Sequence, residues 1–155
     1  MRGARGLAGS RVTVLGALGA LALVSTACGG GGGVTVKASL SEWAITIDRD
    51  SVAAGEVTFE VENQGPADPH EFVVLKTDLA ADALPTKPEG GVDEAGAGVE
   101  EIGEIEEFPV GESRSASFDL EAGSYVFICN LVEEDDGEVE DHYAEGMTVA
   151  FTVTG

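Results

Sequence analysis

The segment Gly55-Glu56-Val57-Thr58-Phe59-Glu60-Val61-Glu62-Asn63 alternates without a break, setting apolar Val57, Phe59 and Val61 against polar Thr58, Glu60 and Glu62. A two-residue period places the two sets on opposite faces of a pleated strand, so this stretch predicts a half-buried antiparallel strand. The same reading extends in both directions. Upstream, Val34 to Leu40 supplies a shorter first strand, and Trp43, Ile45 and Ile47 alternate before the turn-like Asp50-Ser51. Downstream, Asn63-Gln64-Gly65-Pro66 turns the chain. His70 to Thr77 is apolar on both faces through Phe72, Val73, Val74 and Leu75, the pattern of a central strand. Ser113 to Leu120, Ser124 to Cys129 and Met147 to Thr154 complete the set, with Glu121-Ala122-Gly123 as a tight hairpin between the first two. No stretch keeps a helical period over three turns. The expected fold is all-β, a Greek-key β-sandwich of about seven to eight strands.

Residues 78–112 are rich in Gly, Pro, Ala and Glu and carry no clear period. A connection that long implies local order. Ile102, Ile105 and Phe108 are suited to covering an edge of the sandwich, as a short helix or as a strand.

The amino terminus reads as an address. Arg2, Arg5 and Arg11 precede the apolar run Val12 to Val24, and Ser25-Thr26-Ala27 closes it, which is the pattern of a secretory signal. The run is shorter than the ~20 apolar residues that a membrane-spanning helix needs. Cys28 follows the small residues directly, an arrangement that resembles the bacterial lipobox, in which that cysteine is lipidated; Ser25 stands where an aliphatic residue is usual. Gly29 to Gly33 then form a flexible tether. The expected organisation is a signal at 1–27, lipidated Cys28 with its tether at 28–36, and one domain at 37–155. The destination is the outer face of the cell membrane, with cleavage and release as the alternative.

Of the 8 basic residues, three lie in the signal, leaving five against all 29 acids in the remainder, near −24 (5 − 29). Such a charge disfavours nucleic acid and anionic lipid headgroups as partners and leaves basic proteins and cations. It also keeps a protein soluble. Contact with the membrane is expected through the anchor only, and the protein is expected to be a monomer.

Beyond the signal and tether, the chain holds two histidines, one cysteine and one methionine: His70, His142, Cys129 and Met147. Two imidazoles and a thiolate in a trigonal plane, with a long axial thioether, form the ligand set of a blue copper site. Zinc suits this set poorly, because a thioether is a weak zinc ligand. Parity puts Cys129 on one strand face with Tyr125 and Phe127, and Met147 with Val149, Phe151 and Val153, so both sulfurs point inward. If those strands are antiparallel neighbours, both sulfurs lie at one end of the sandwich, with His142 in the loop between. A Cys28–Cys129 disulfide is the competing use of the cysteines.

Three sequence stretches then resemble the cupredoxin family, the group of plastocyanin, azurin and sulfocyanin. Pro69-His70-Glu71-Phe72 resembles the first-histidine strand, Gly123-Ser124-Tyr125-Val126-Phe127-Ile128-Cys129-Asn130 the strand entering the copper cysteine, and His142-Tyr143-Ala144-Glu145-Gly146-Met147 the second histidine and axial methionine. The resemblance implies His70 and His142 as equatorial imidazoles, Cys129 as thiolate and Met147 as axial ligand, holding one copper ion that cycles between Cu(I) and Cu(II). It implies an electron carrier between redox partner proteins, some with basic surfaces, and not an enzyme. Copper storage, sensing or delivery is the alternative, and a metal-free adhesion-type sandwich a third. Two features depart from the pattern: twelve residues separate Cys129 from His142, and Glu71 stands where azurin-like proteins often carry asparagine. Within the long separation, Glu133 to Asp141 holds seven acids in nine positions. Placing Gly137 at the sixth position of a calcium loop puts Val132 where the first acidic ligand belongs, so this run reads as a solvated acidic rim that could dock a partner.

Overall fold

The computed structural model describes residues 33–155 apart from Asp136. The export segment, Cys28 and most of the glycine run lie outside the described residues. Among those described are β1 (Val34–Ser41), β2 (Ala44–Ile47), β3 (Ser51–Ala53), β4 (Gly55–Gly65), β5 (His70–Lys76) and β6 (Glu100–Phe108). They continue with β7 (Ser113–Leu120), β8 (Gly123–Ile128), β9 (Val132–Asp135), β10 (Glu138–Asp141), the one-turn α1 (His142–Glu145) and β11 (Thr148–Thr154). No helix among the described residues is long and apolar enough to cross a membrane.

Two sheets face each other, one in the order β2-β1-β4-β7 and the other β3-β11-β8-β5-β6, with β9 and β10 forming a separate two-stranded hairpin. The strand that decided the class behaves as its alternation requires: Val57, Phe59 and Val61 are buried on β4, and Glu56, Glu60 and Glu62 are exposed. Its pairing is mixed, parallel to β1 and antiparallel to β7, not antiparallel throughout. The cause is connectivity. After the β1–β2 hairpin the chain crosses to the second sheet as β3, which pairs parallel with β11, and returns as β4. β1 begins at Val34, where the sequence places the first strand, and runs one residue beyond Leu40.

Glu121-Ala122-Gly123 does not close a hairpin. β7 and β8 belong to different sheets, so these residues carry the chain from one layer to the other. Strand periodicity reports the face a residue takes but not which strand pairs with which, hence the error. Among the described residues the strand count rises to eleven through β3 and the β9–β10 hairpin, both too short or too polar to stand out by alternation.

The unread stretch resolves into two parts. Ile102, Ile105 and Phe108 fall on β6, the edge strand beside β5. The remainder packs Leu84 and Val92 over the outer face of the second sheet, against Val73, Leu75, Val126, Ile128 and Tyr143. Tyr143 ties this strap down by accepting from the Leu84 amide and donating to the Ala81 carbonyl, at 3.0 Å each. That covering explains why β5 is apolar on both faces: its other face joins Phe59, Phe127 and Phe151 between the sheets. Burying an aromatic side chain contributes roughly 1.5–3 kcal/mol, and Phe127 touches three others at 4.9–5.0 Å between ring centroids. This cluster forms the floor beneath Cys129.

Candidate metal centre

Cys129 follows the last residue of β8 and Met147 precedes the first of β11, and these strands are antiparallel neighbours. The Cys129 amide donates to the Met147 carbonyl at 3.1 Å, the Met147 amide to the His142 carbonyl at 2.9 Å, and the His142 amide to the Leu131 carbonyl at 3.1 Å. Three backbone bonds thus lace the cysteine, methionine and second histidine to one end of the sandwich, as their placement in sequence predicts. His142 is not in a loop, however. It opens α1, whose N-cap Asp141 accepts from the Ala144 amide at 3.1 Å. Gly146 ends that turn at φ 122°, a conformation that glycine adopts without a Cβ penalty, and sends Met147 back into the core.

His70 comes from the start of β5, on the strand adjoining β8. The approach to it is fixed by buried Asn63, whose side-chain NH2 donates to the Asp68 carbonyl at 2.9 Å and to the Phe108 carbonyl at 3.1 Å. Its side-chain oxygen accepts from the Gly65 amide at 2.9 Å.

The three donors converge. His70 Nδ1 lies 3.2 Å from His142 Nδ1, and Cys129 Sγ lies 3.2 Å from His142 Nδ1 and 3.9 Å from His70 Nδ1. A triangle with those sides has a circumradius of about 2.0 Å, close to typical metal–nitrogen distances of ~2.0–2.1 Å and a little under the ~2.3 Å of a metal–thiolate bond. The residues fit a metal ion with only a small outward movement of the thiolate. His70, Cys129, His142 and Met147 all have 0% exposure, and Met147 is hydrogen-bonded through its backbone carbonyl to Cys129.

The electrostatics of the pocket run against charge. Burial pushes the Cys129 thiol up to about 12, against the pull of the Glu71 and Leu131 amides. Burial, with His142 beside it, lowers the His70 pKa, while Glu42 and Asp68 oppose that shift. A cation among these groups reverses the cysteine's preference, because a coordinated thiol is deprotonated outright. Cys129 is a free thiol in the core, not half of a disulfide.

The surrounding shell was less legible in sequence. Glu71, which departs from asparagine, still donates its backbone amide to Cys129 Sγ at 3.4 Å, and its side chain accepts from the Asn130 amide at 3.1 Å. Burial raises its carboxyl to about 7, with Glu104, Glu94 and Glu107 adding to the shift and the Asn130 amide opposing it. Asn130 in turn donates to Glu94 Oε1 at 2.8 Å and to the Val92 carbonyl at 3.1 Å, tying the strap to the cysteine. Trp43 sits edge-on to His142, with centroids 4.9 Å apart. It occupies the β1–β2 turn, not the strand face that alternation with Ile45 predicts. Glu133 Oε2 lies 3.5 Å from His142 Nε2, and Glu42 Oε1 lies 3.8 Å from His70 Nε2. Neither carboxylate is marked in the sequence: Glu133 is one acid within a run, and Glu42 is a lone acid between Ser41 and Trp43, with no pattern to tie it to an imidazole 28 positions away. The acidic rim itself is a β-hairpin, with Glu133 opposite Glu140 and Val132 opposite Asp141.

No protein-family profile matches this sequence, and no curated protein matches it. Several solved structures do resemble it. Reduced auracyanin from the photosynthetic bacterium Roseiflexus castenholzii is 23% identical at a TM-score of 0.53, over 81% of this chain and 100% of that one. Rusticyanin from Thiobacillus ferrooxidans is 16% identical at a TM-score of 0.55, over 80% of this chain and 79% of that one. Auracyanin A, described as a "blue" copper protein from Chloroflexus aurantiacus, is 21% identical at a TM-score of 0.50, over 79% of this chain and 100% of that one.

Proposed function

We propose that this chain, which has the cupredoxin fold of those structures, is a type 1 copper protein that carries single electrons outside the cytoplasm. One observation carries the reading: three donors of the blue copper ligand set converge at 3.2–3.9 Å in a buried pocket, beside a buried methionine. A copper ion held there supplies a one-electron couple. The protein supplies the coordination geometry. His70 is fixed by β5 and the Asn63 clamp, Cys129 and Met147 by the β8–β11 pair, and His142 by capped α1, so the ligands have little freedom to rearrange between oxidation states.

Burial also favours carrying over delivery, since a metal with all four donors at 0% exposure has no open side from which to be handed on. Electron carriers act by contact at an edge of the site. Trp43 and the β9–β10 hairpin form that edge around His142. Export follows from the signal-like 1–27 segment, and retention at the outer face of the membrane from Cys28.

The test is a visible spectrum on adding one equivalent of Cu(II) to the purified domain. An intense thiolate-to-copper band that vanishes in Cys129→Ser supports the reading. A colourless parent, or a blue serine variant, refutes it. Reversible voltammetry with copper retained separates carrying from delivery, for which Cu(I) would pass readily to a chelator.

A further inference from the structure

Among the described residues, three buried side-chain polar atoms lack a hydrogen-bond partner: Glu42 Oε2, His70 Nε2 and His142 Nε2. All three belong to the metal centre. Buried polar groups are nearly always paired, so a cluster of orphans at one place calls for a physical reason. With both Nδ1 atoms turned inward, each imidazole points its Nε2 edge outward, and each edge meets a carboxylate: Glu42 at 3.8 Å from His70 and Glu133 at 3.5 Å from His142. Both separations are longer than a hydrogen bond and short enough to close by small side-chain shifts.

We propose that Glu42 and Glu133 are the positioning carboxylates of this centre, each accepting the Nε2 proton of one imidazole and thereby presenting its Nδ1 to the metal. The inference rests on the metal-centre reading above. A neutral imidazole carries one proton, and the nitrogen that holds it cannot ligate. A carboxylate behind Nε2 fixes the proton there, orients the ring and strengthens the donor on the far side. The two arms are built differently. Glu42 is anchored from the β1–β2 turn, its Oε1 accepting from the Ala67 and Asp68 amides at 3.0 and 2.7 Å and lying 3.8 Å from His70 Nε2, while its buried Oε2 has no partner and is free to take the Nε2 hydrogen bond after a small rotation of the carboxylate. Glu133 is carried by β9, within the long Cys129–His142 separation, so that separation delivers a group to the site as well as spacing it.

Charge gives the arrangement a functional consequence. The thiolate, Glu42 and Glu133 place three negative charges about the metal, against two positive charges in the oxidised state and one in the reduced state. Both carboxylates therefore favour the oxidised metal and lower the reduction potential.

The experiment compares Glu42→Gln and Glu133→Gln with the parent and with Glu60→Gln, which removes a charge on the outward face of β4. Glutamine keeps an acceptor for the Ala67 and Asp68 amides but sets an N–H against the imidazole N–H. In the apo-protein at pH 7.5, histidine nitrogen NMR should show the Nε2–H tautomer predominating at both parent imidazoles, with the Nδ1–H population rising at His70 in Glu42→Gln and at His142 in Glu133→Gln. With copper, each variant should lose 10–100-fold in Cu(II) affinity. Cu(I) affinity should fall less, and each tenfold difference between the two losses raises the potential by about 59 mV. Glu60→Gln should match the parent. Parent-like tautomers and potentials in both variants overturn the proposal. If the parent binds no copper, the metal reading fails, and the apo-protein tautomers still decide this one. If Glu42→Gln does not fold, Glu133→Gln on the partly exposed hairpin decides it alone.

Discussion

Replacing Glu134–Val139 with Asn-Gly should leave copper binding intact and slow electron exchange with cations. The cut is set by register: Glu133 stands opposite Glu140, so a two-residue type I′ turn can join them without disturbing the Val132–Asp141 pair. Removing the whole of Glu133 to Asp141 is the wrong cut, because Asp141 caps α1 and also accepts from the Gly91 amide at 2.8 Å. The replacement deletes four carboxylates, those of Glu134, Asp135, Asp136 and Glu138. For a charge pair about 10 Å apart in water at 0.1 M salt, Coulomb energy reduced by screening is about 0.15 kcal/mol. Four such charges facing a tripositive cobalt complex sum to about 1.8 kcal/mol, or roughly twentyfold in rate. Stopped-flow oxidation of the reduced protein by that complex should therefore slow about twentyfold at 0.1 M salt, with a shallower salt dependence, while a neutral oxidant shows no change. Equal rates with the cationic complex at low salt would refute steering by the hairpin. Loss of the visible band would show that the hairpin tip holds the site together.

Met147→Leu should keep the colour and raise the potential, since losing a weak axial donor destabilises Cu(II) more than Cu(I); voltammetry reads it, and loss of copper would make Met147 an equatorial or structural residue. Gly146→Ala should destabilise the domain by about 1–3 kcal/mol in thermal unfolding, because the residue sits at φ 122° and its new Cβ would lie 3.3 Å from the Trp43 carbonyl. In the apo-protein, Glu71 has its folded pKa raised to about 7, so it stabilises the fold below the ordinary carboxylate range and that contribution is lost as pH rises toward 7. Partial exposure discounts the effect to an order of 1–2 kcal/mol, and Glu71→Gln should flatten apo-protein stability between pH 5 and 7.5; an unchanged profile would show Glu71 ionised as usual. Cys28→Ala should shift the exported protein from the membrane to the soluble fraction, and its retention would argue against lipidation.

Local alternation, and with it the faces, follows from the order of residues alone. Val57, Phe59 and Val61 had to point inward, and so did Tyr125, Phe127 and Cys129, because a pleated strand leaves a side chain only two directions. Scarcity determined the donor set, since beyond the signal and tether two histidines, one cysteine and one methionine leave no other choice of soft ligands. What periodicity cannot carry is pairing. Whether β7 joins β8 or passes to the other sheet, and whether β4 runs parallel to β1, depends on which burial the whole chain achieves. The shell around the metal belongs to that tertiary level too. Glu42 lies 28 positions from His70 and Glu133 nine from His142 in the chain, and each is one of many acids until the fold brings it to an imidazole edge. The strap over β5 and β8 is similar, because Leu84 and Val92 have no period to betray them and gain a place only once the sheet exists for them to cover. Local sterics act over two or three residues and can be read from the order of side chains, whereas burial and charge pairing act through space and are settled only when the chain closes on itself.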